Sequence, residues 1–560
     1  MGLASLLVAL DEGVTGLFAQ WNLWTSILTT ALVGLLTYQL VARRDPDIHP
    51  FLLARQAQGS PVRYPGESPV YRCVAAPHGM PLNAGLNVKE PGASKWARGR
   101  DGDLRDIWRQ AVAGVSDEGP DKGATGRLLT VLGTDKVVDH SLDALTRHIN
   151  LVGRHLADHG ARRVAIYLPN SIELLVALFA CAFYDLEAVL VPFGKPDDAL
   201  ISMLRRSSSD TVVTASGAFP LDFVAKHYPG LRRLVWVLDD GSRHLDWNAV
   251  PEGAATSPVA VSTWQDVVNG SPAAAGRELP PLRDQKPPSD VVVFWDGGKP
   301  DEEEELVRFT AANLISGVAA QLAAIPTSQR LGPRDLFLPA DSLASTHALV
   351  LTLAALFSNA SVALSAAAPR ADDLAAAVRA APDLRPTVLV ATPAALLKTQ
   401  QDAAAARRRS SPFARLAHAR RVRHLPAAPH LRRRARRRPG GRPRLSTAAL
   451  ADLRVLTGAR IVYALAAARV AGAVAQTGLY DYRLVGEDAD RLEDDAGSGS
   501  HFGPPLTSTE VLFRDKDGVR SDETGSRGEI IVRGPCVAGG EAALGVLGRM
   551  RKDNTIACYV

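Results

Sequence analysis

The chain has 560 residues, 46% apolar and 22% charged, a size and balance that exclude a disulfide-stapled miniprotein, wholesale disorder and a polytopic membrane protein. Its formal charge of +5 is misleading, because fifteen arginines lie between Ala403 and Leu450 with no lysine or acid among them, leaving −10 on the rest of the chain. The molecule reads as an acidic body carrying one basic block. Cys73, Cys181, Cys536 and Cys558 are scattered without metal-ligand spacing, as expected for isolated thiols in a reducing compartment.

From Gly13 to Ala42 there is no charged residue, and residues 23–40 are mostly apolar. About 20 such residues in a helix cross the ~30 Å hydrocarbon layer. Trp21, Trp24 and Tyr38 lie near its ends, and Arg43 and Arg44 follow at once. This pattern predicts an N-terminal transmembrane helix, with membrane lipid contacted by residues 14–42 and the C-terminal body in the cytosol. A cleaved signal peptide is the main rival; it wants a basic start where the chain has Asp11 and Glu12. A buried core helix is the other alternative.

Downstream, residues 51–138 are rich in Pro, Gly and Arg and read as an extended segment leading away from the membrane. Leu142, Leu145, Ile149, Val152 and Leu156 then recur at helical spacing. The apolar run 163–168, closed by Pro169 and Asn170, predicts a buried strand. A helix over 172–183, a strand over 188–191, a helix over 199–206 and a strand over 211–214 continue the alternation. Further strands are predicted over 233–238, 290–294, 361–364 and 387–391, with a polar connection over 241–288. Strands alternating with helices imply βαβ units, a parallel sheet and an α/β fold.

Two blocks carry a family likeness. The run DHSLDALTRHINLVGRHLADHGARRVAIYLPNSIELLVALFACAFYDLEAVLVP begins at Asp139 and resembles the N-terminal sheet of adenylate-forming enzymes of the acyl-CoA synthetase type. More than 300 residues later, Gly503-Pro504-Pro505-Leu506, Glu510-Val511 and the GEIIVRGP run from Gly528 to Pro535 resemble a second block of that family. Residues 308–317 and 388–398 agree with it. With its N-terminal helix the chain looks most like the membrane-anchored long-chain fatty acid–CoA ligases of the endoplasmic reticulum. The resemblance implies two layered βα subdomains plus a small β-rich subdomain, spread over residues 139–400 and 447–560, with residues 1–50 as anchor and lead-in. It also implies ATP, Mg2+ and CoA as cofactors and a fatty acid as substrate. The family's C-terminal lid domain, which bears its adenylation lysine, is expected to be absent. Gly548 to Asp553 echo only the hinge, and Lys552 reads as an exposed charge.

Adenylation brings a carboxylate against a triphosphate, so a site must supply backbone N–H groups, hydroxyls, a cation and Mg2+ to offset the repulsion. In the family a Ser/Thr/Gly-rich loop after a strand does this. Here the strand ending at Phe294 is followed by Trp295-Asp296-Gly297-Gly298-Lys299-Pro300. Gly297, Gly298 and Lys299 are the candidate nucleotide-binding remnants. The acids 301–305 come next and are expected to form a solvated loop, since unit charges ~4 Å apart repel by ~1 kcal/mol even in water. In the family's Y-G-x-T-E segment the Thr contacts phosphate and the Glu holds Mg2+. Here a strand is expected over 458–462, Tyr463 keeps the aromatic position, and Ala466 and Ala467 replace Thr and Glu. Tyr463 reads equally as an adenine-stacking group or as a core side chain. His347, in the stretch where the family often carries a histidine beside the acyl site, is the acyl-site candidate; a structural histidine is the alternative. No catalytic or metal-ligating residue is assigned.

The arginine block, residues 401–446, has three readings. It is a lipid-headgroup patch, a nucleic-acid segment disfavoured by its single aromatic residue Phe413, or a shifted reading frame in GC-rich coding sequence. The expectation overall is an acyl-CoA-ligase-like protein with impaired catalysis. The alternative is a non-catalytic protein of the same fold that binds a fatty acyl ligand or a protein partner.

Overall fold

The computed structural model describes residues 15–558 apart from 17–18, 20–21, 43–47, 91, 95, 117–119, 133–135, 239–258, 282–286, 298–302, 366–383, 409–444, 482–499, 517, 520 and 522–525. Most of the arginine block therefore lies outside the described residues. The chain divides into two units, Met1–Pro50 and Phe51–Val560.

In the first unit the expected N-terminal helix forms over Leu23–Ala42. Its described apolar side chains from Leu23 to Leu36 are largely exposed, Leu23, Trp24 and Leu28 each by more than 70%. Among the described residues no helix is long and apolar enough to cross a membrane, so the expected transmembrane span finds no support there. Thr25, Ser26, Thr29, Thr30 and Thr37 dilute its apolarity, and Thr30 turns its hydroxyl back to the Ser26 carbonyl at 2.8 Å.

A short helix, Pro50–Ala54, starts at the last residue of the first unit, and the second unit continues with strands β1 (Ala57–Gly59) and β2 (Tyr71–Cys73). The helix Leu104–Ala113 precedes the hairpin β3 (Leu128–Leu132) and β4 (Lys136–His140). Then follow β5 (Arg163–Tyr167), β6 (Glu187–Leu190), β7 (Thr211–Ala215), β8 (Arg233–Val237), β9 (Ala260–Thr263), β10 (Val291–Trp295) and β11 (Glu305–Phe309). After the helix Ala311–Ala324 come β12 (Leu336–Pro339), β13 (Ser361–Ser365) and β14 (Val388–Val390). The chain closes with β15 (Ala464–Leu465), β16 (Ala475–Gln476), β17 (Glu510–Arg514), β18 (Arg527–Arg533), β19 (Glu541–Met550) and β20 (Ile556–Cys558).

Three larger sheets result. One has the order β11-β10-β6-β5-β7-β8-β9, parallel except for β11; a second has the order β14-β12-β13-β3-β4, parallel except for β4; the third, β1-β2-β17-β18-β19-β20, is antiparallel. Parallel strands covered on both faces read as continuous apolar runs, and β10 is an example. Val291 and Val293 pack into one core cluster while Val292, with Phe294, packs into another on the opposite face. The helix Ile172–Phe183, capped by Ser171, is apolar all round because every residue in it but Glu173 is buried.

The strands read from the 163–391 pattern are all present, with ends shifted by a residue or two. Three expectations differ. Residues 51–138 are not simply an extended lead-in: β2 pairs with β17 more than 400 residues away, and β3 pairs with β13. The polar connection 241–288 contains β9 and the helix Trp264–Asn269. Residues 458–462 form no strand; strand pairing starts only at Ala464.

Two asparagines join the quoted motifs. Asn170 donates to the Asp341 carbonyl at 2.8 Å and accepts from the Leu343 N–H at 2.9 Å, tying the turn after β5 to the turn after β12. Asn313 closes a capping box with Thr310 and also donates to the carbonyls of Pro535, at 2.7 Å, and Val537. The 308–317 and GEIIVRGP blocks therefore meet in space.

Candidate functional site

The candidate site lies where β10 gives way to β11. Trp295 ends one strand and faces Glu305, the first residue of the next. Of the nucleotide-binding candidates, Gly297 follows β10 in irregular backbone. Gly298 and Lys299 fall outside the described residues, as do Asp301 and Glu302.

Both ends of this segment are held by cations from other elements. Lys195 binds Glu304 at 2.6 Å and Asp296 at 3.4 Å. Arg206, in the last turn of the helix Asp197–Ser207, pairs with Glu303 at 3.5 Å, donates to the Glu304 carbonyl at 2.5 Å and lies 5.8 Å from the Phe294 ring centre. Ser202 on the same helix donates to Glu303 at 3.3 Å. Arg469 meets Glu305 at 2.7 Å. Burial lowers the Lys195 pKa, but the hydrogen bond to Glu304 and the charges of Glu304 and Asp296 outweigh it and hold the ammonium above its ordinary range. Of the described acids Glu303 is exposed, as a solvated loop would have it, and Glu304 is largely covered; Glu303, Glu304 and Glu305 each have a cationic partner. Sequence inspection missed Lys195, Arg206 and Arg469, because their only signal is proximity in space.

The short hairpin β15–β16 organises the other candidates. Tyr463 immediately precedes it, buried and stacked on Phe502 with ring centres 4.7 Å apart. Its hydroxyl accepts from the Leu445 N–H at 3.2 Å, and its backbone N–H donates to Thr477 at 2.8 Å. The ring face and the hydroxyl are thus engaged within the core. The connection between β15 and β16 is fastened to the residues directly after the GEIIVRGP block: the Ala471 N–H donates to the Cys536 carbonyl at 2.9 Å, and the Ala538 N–H to the Arg469 carbonyl at 2.8 Å. That seats Arg469 opposite Glu305 and brings Ala471 against Gly317, where a Cβ would collide with the Ala471 carbonyl.

His347 lies in the first turn of the helix Thr346–Phe357 and is partly buried. Burial drives its pKa down to about 4, opposed by a hydrogen bond with the Gly472 backbone, so the imidazole is neutral at physiological pH. Its Nδ1 and the Gln321 amide nitrogen have no hydrogen-bond partner among the described residues. One hairpin therefore touches the acidic segment through Arg469 and the histidine through Gly472, with Tyr463 at its base.

Ala466 and Ala467 offer no ligand to a cation. Among the described residues no group of three His, Cys, Asp or Glu side chains could hold a metal. Among the described residues of this region the acids are matched to cations and two alanines stand at the Thr and Glu positions, a set that offers little to a magnesium–triphosphate group.

The sequence matches the AMP-binding enzyme family over residues 119–294 and 306–540. The interruption, 295–305, coincides with the cation-held acidic segment. Among solved structures, similarity extends to an inhibitor-bound N-terminal domain of FACL13 from Mycobacterium tuberculosis, at 14% identity and a TM-score of 0.54 over 82% of this chain and 99% of that one. The anthranilate CoA ligase AuaEII in complex with anthranoyl-AMP is similar at 14% identity and a TM-score of 0.56, over 82% of this chain and 77% of that one. A protein described as a putative long-chain-fatty-acid CoA ligase from Rhodopseudomonas palustris is similar at 17% identity and a TM-score of 0.51, over 82% and 98%. At these identities the likeness is one of fold. No curated protein matches the sequence.

Proposed function

Because this chain belongs to the AMP-binding enzyme family, we propose that it is an acyl-CoA-ligase-like protein that binds a fatty acid and has largely lost ATP-dependent adenylation. The observation that carries this reading is the coincidence at residues 295–305. The family match breaks where phosphate-binding groups would be needed, and the described acids there are paired with Lys195, Arg206 and Arg469. A triphosphate entering this segment would meet carboxylates, and its charge would have to compete with them for three cations. In this reading His347, neutral and partly buried, borders the acyl cleft, and Tyr463 is a core side chain. Purified protein is predicted to bind a fluorescent long-chain fatty acid and to release no pyrophosphate above background with ATP, Mg2+ and CoA. Turnover at the rate of a working ligase would refute the reading.

An active long-chain ligase using ATP, Mg2+ and CoA is the second reading. It is favoured by the family match on both sides of the interruption, and pyrophosphate release decides between the two.

The proposal extends to location. The exposed apolar face of the helix Leu23–Ala42 is suited to membrane lipid, and Arg43 and Arg44 directly after it favour a body on the cytosolic side. The endoplasmic reticulum is the membrane proposed. Co-fractionation of the full chain with a marker of that organelle tests this, and a wholly unsedimented protein would contradict it.

A further inference from the structure

Exposed apolar side chains are distributed unevenly along this chain. Of the eighteen large hydrophobic side chains that stand exposed among the described residues, eight are on the helix Leu23–Ala42, seven fall between Phe51 and Trp96, and three occupy all the rest. The second group belongs to the folded body. Phe51 and Leu52 lie in the short helix before β1, Val62 and Tyr64 in the β1–β2 connection, and Val74 follows β2. β1 is the outer strand of the six-stranded sheet, so these residues mark one margin of it. Trp96, in the following loop, is 96% exposed.

Charge on this stretch has the opposite sign to the acidic body. Residues 51–100 contain seven lysines and arginines and two acids. Both acids have partners in the chain, Glu67 with Arg514 and Glu90 with Arg100. Arg55, Arg63, Lys89 and Arg98 are exposed. Aromatic and aliphatic tips interleaved with exposed bases suit the headgroup region of an anionic bilayer, where rings settle at the interface and cations meet lipid phosphates. A protein partner would more often be met by depletion of lysine at the centre of the patch.

We propose that the β1–β2 margin of the body, from Phe51 to Trp96, docks on an anionic lipid surface. This rests on the lipid association proposed for the helix Leu23–Ala42, from which only eight residues of chain separate Phe51. The helix then supplies general membrane affinity, and the margin sets the face the body turns toward the membrane.

The test uses the full chain. Cys73 and Cys558 are changed to serine; Cys181 and Cys536 stay, because burial pushes their pKa values up to about 12 and about 11 and leaves them unreactive. An environment-sensitive fluorophore is placed at Tyr64→Cys, and in a second protein at Val462→Cys, another exposed apolar site remote in sequence. On addition of phosphatidylcholine–phosphatidylserine vesicles the label at 64 is predicted to shift blue and to become at least about fivefold less accessible to aqueous iodide. The label at 462 stays unchanged, and phosphatidylcholine vesicles alone give a weaker response. A chain that floats with vesicles while the label at 64 remains iodide-accessible overturns the docking and leaves the helix reading intact. A chain that does not float overturns both. A blue shift that grows with protein concentration in the absence of lipid assigns the face to a second copy and also overturns the proposal.

Discussion

Lys195 donates to Glu304 at 2.6 Å and reaches Asp296 at 3.4 Å, so one ammonium joins the two ends of the segment between β10 and β11. Glu304 keeps 14% of its side-chain surface and Lys195 26%, so the pair is worth more than a surface ion pair and is sensitive to losing one member. Lys195→Met is predicted to lower stability by about 1–2 kcal/mol, because it strands Glu304 beside Asp296. Adding Glu304→Gln to that variant is predicted to recover at least half of the loss. Chemical denaturation of the four proteins of the cycle measures the coupling, and strictly additive effects would show that the pair does not hold the segment.

His347 makes the fold acid-sensitive. Its folded pKa of about 4 lies below the ordinary histidine value, so the unfolded chain takes up a proton that the folded chain refuses. Stability is therefore intact above the unfolded pKa of about 6.5 and falls as the pH drops toward the folded value, by about 3 kcal/mol in all. His347→Leu is predicted to flatten that limb between about pH 6.5 and 4. Denaturant midpoints at several pH values decide it; parallel curves for the two proteins would mean that the imidazole is not the group responsible.

Asn170 supplies both donor and acceptor to the turn after β12. Asn170→Ala would leave the Leu343 N–H and the Asp341 carbonyl without that side chain, at a cost of about 2–3 kcal/mol. Asn170→Asp keeps the acceptor and loses the donor, and should fall between the two. Thermal unfolding of the three proteins gives the order.

Gly317 lets the helix Ala311–Ala324 approach the β15–β16 connection. A Cβ there meets backbone, not a flexible side-chain end, so Gly317→Ala is predicted to destabilise by about 2 kcal/mol or more despite alanine's better helix propensity. The same substitution at Gly332, where a Cβ would meet nothing within 4 Å, is the comparison and should be near neutral.

How much of this was legible in the sequence follows from the range of the forces involved. β5, β6, β7 and β10 could be read directly because burial on both faces writes itself as an unbroken apolar run, and Ser171 and Pro169 mark where one element stops and the next begins. β1 and β2 could not. Each has three residues, too few for a period to emerge, and β2 is a strand because of β17, far along the chain. The expected strand before Tyr463 failed for the converse reason: Ile461 and Val462 have strand propensity but no pairing partner there. At the candidate site, the replacements Ala466 and Ala467 and the acidic run were visible in one dimension. What neutralises that run was not, because Lys195, Arg206 and Arg469 come from three stretches that only the folded sheet brings together.

The body keeps the AMP-binding fold, and in the proposed reading the segment after β10 no longer serves a triphosphate. Pyrophosphate release by the purified full-length chain, with ATP, Mg2+, CoA and a panel of fatty acids, tests it most directly. The account predicts a rate indistinguishable from protein-free controls for every acid, alongside saturable fatty-acid binding; fatty-acid-dependent pyrophosphate release that rises with enzyme concentration would contradict it.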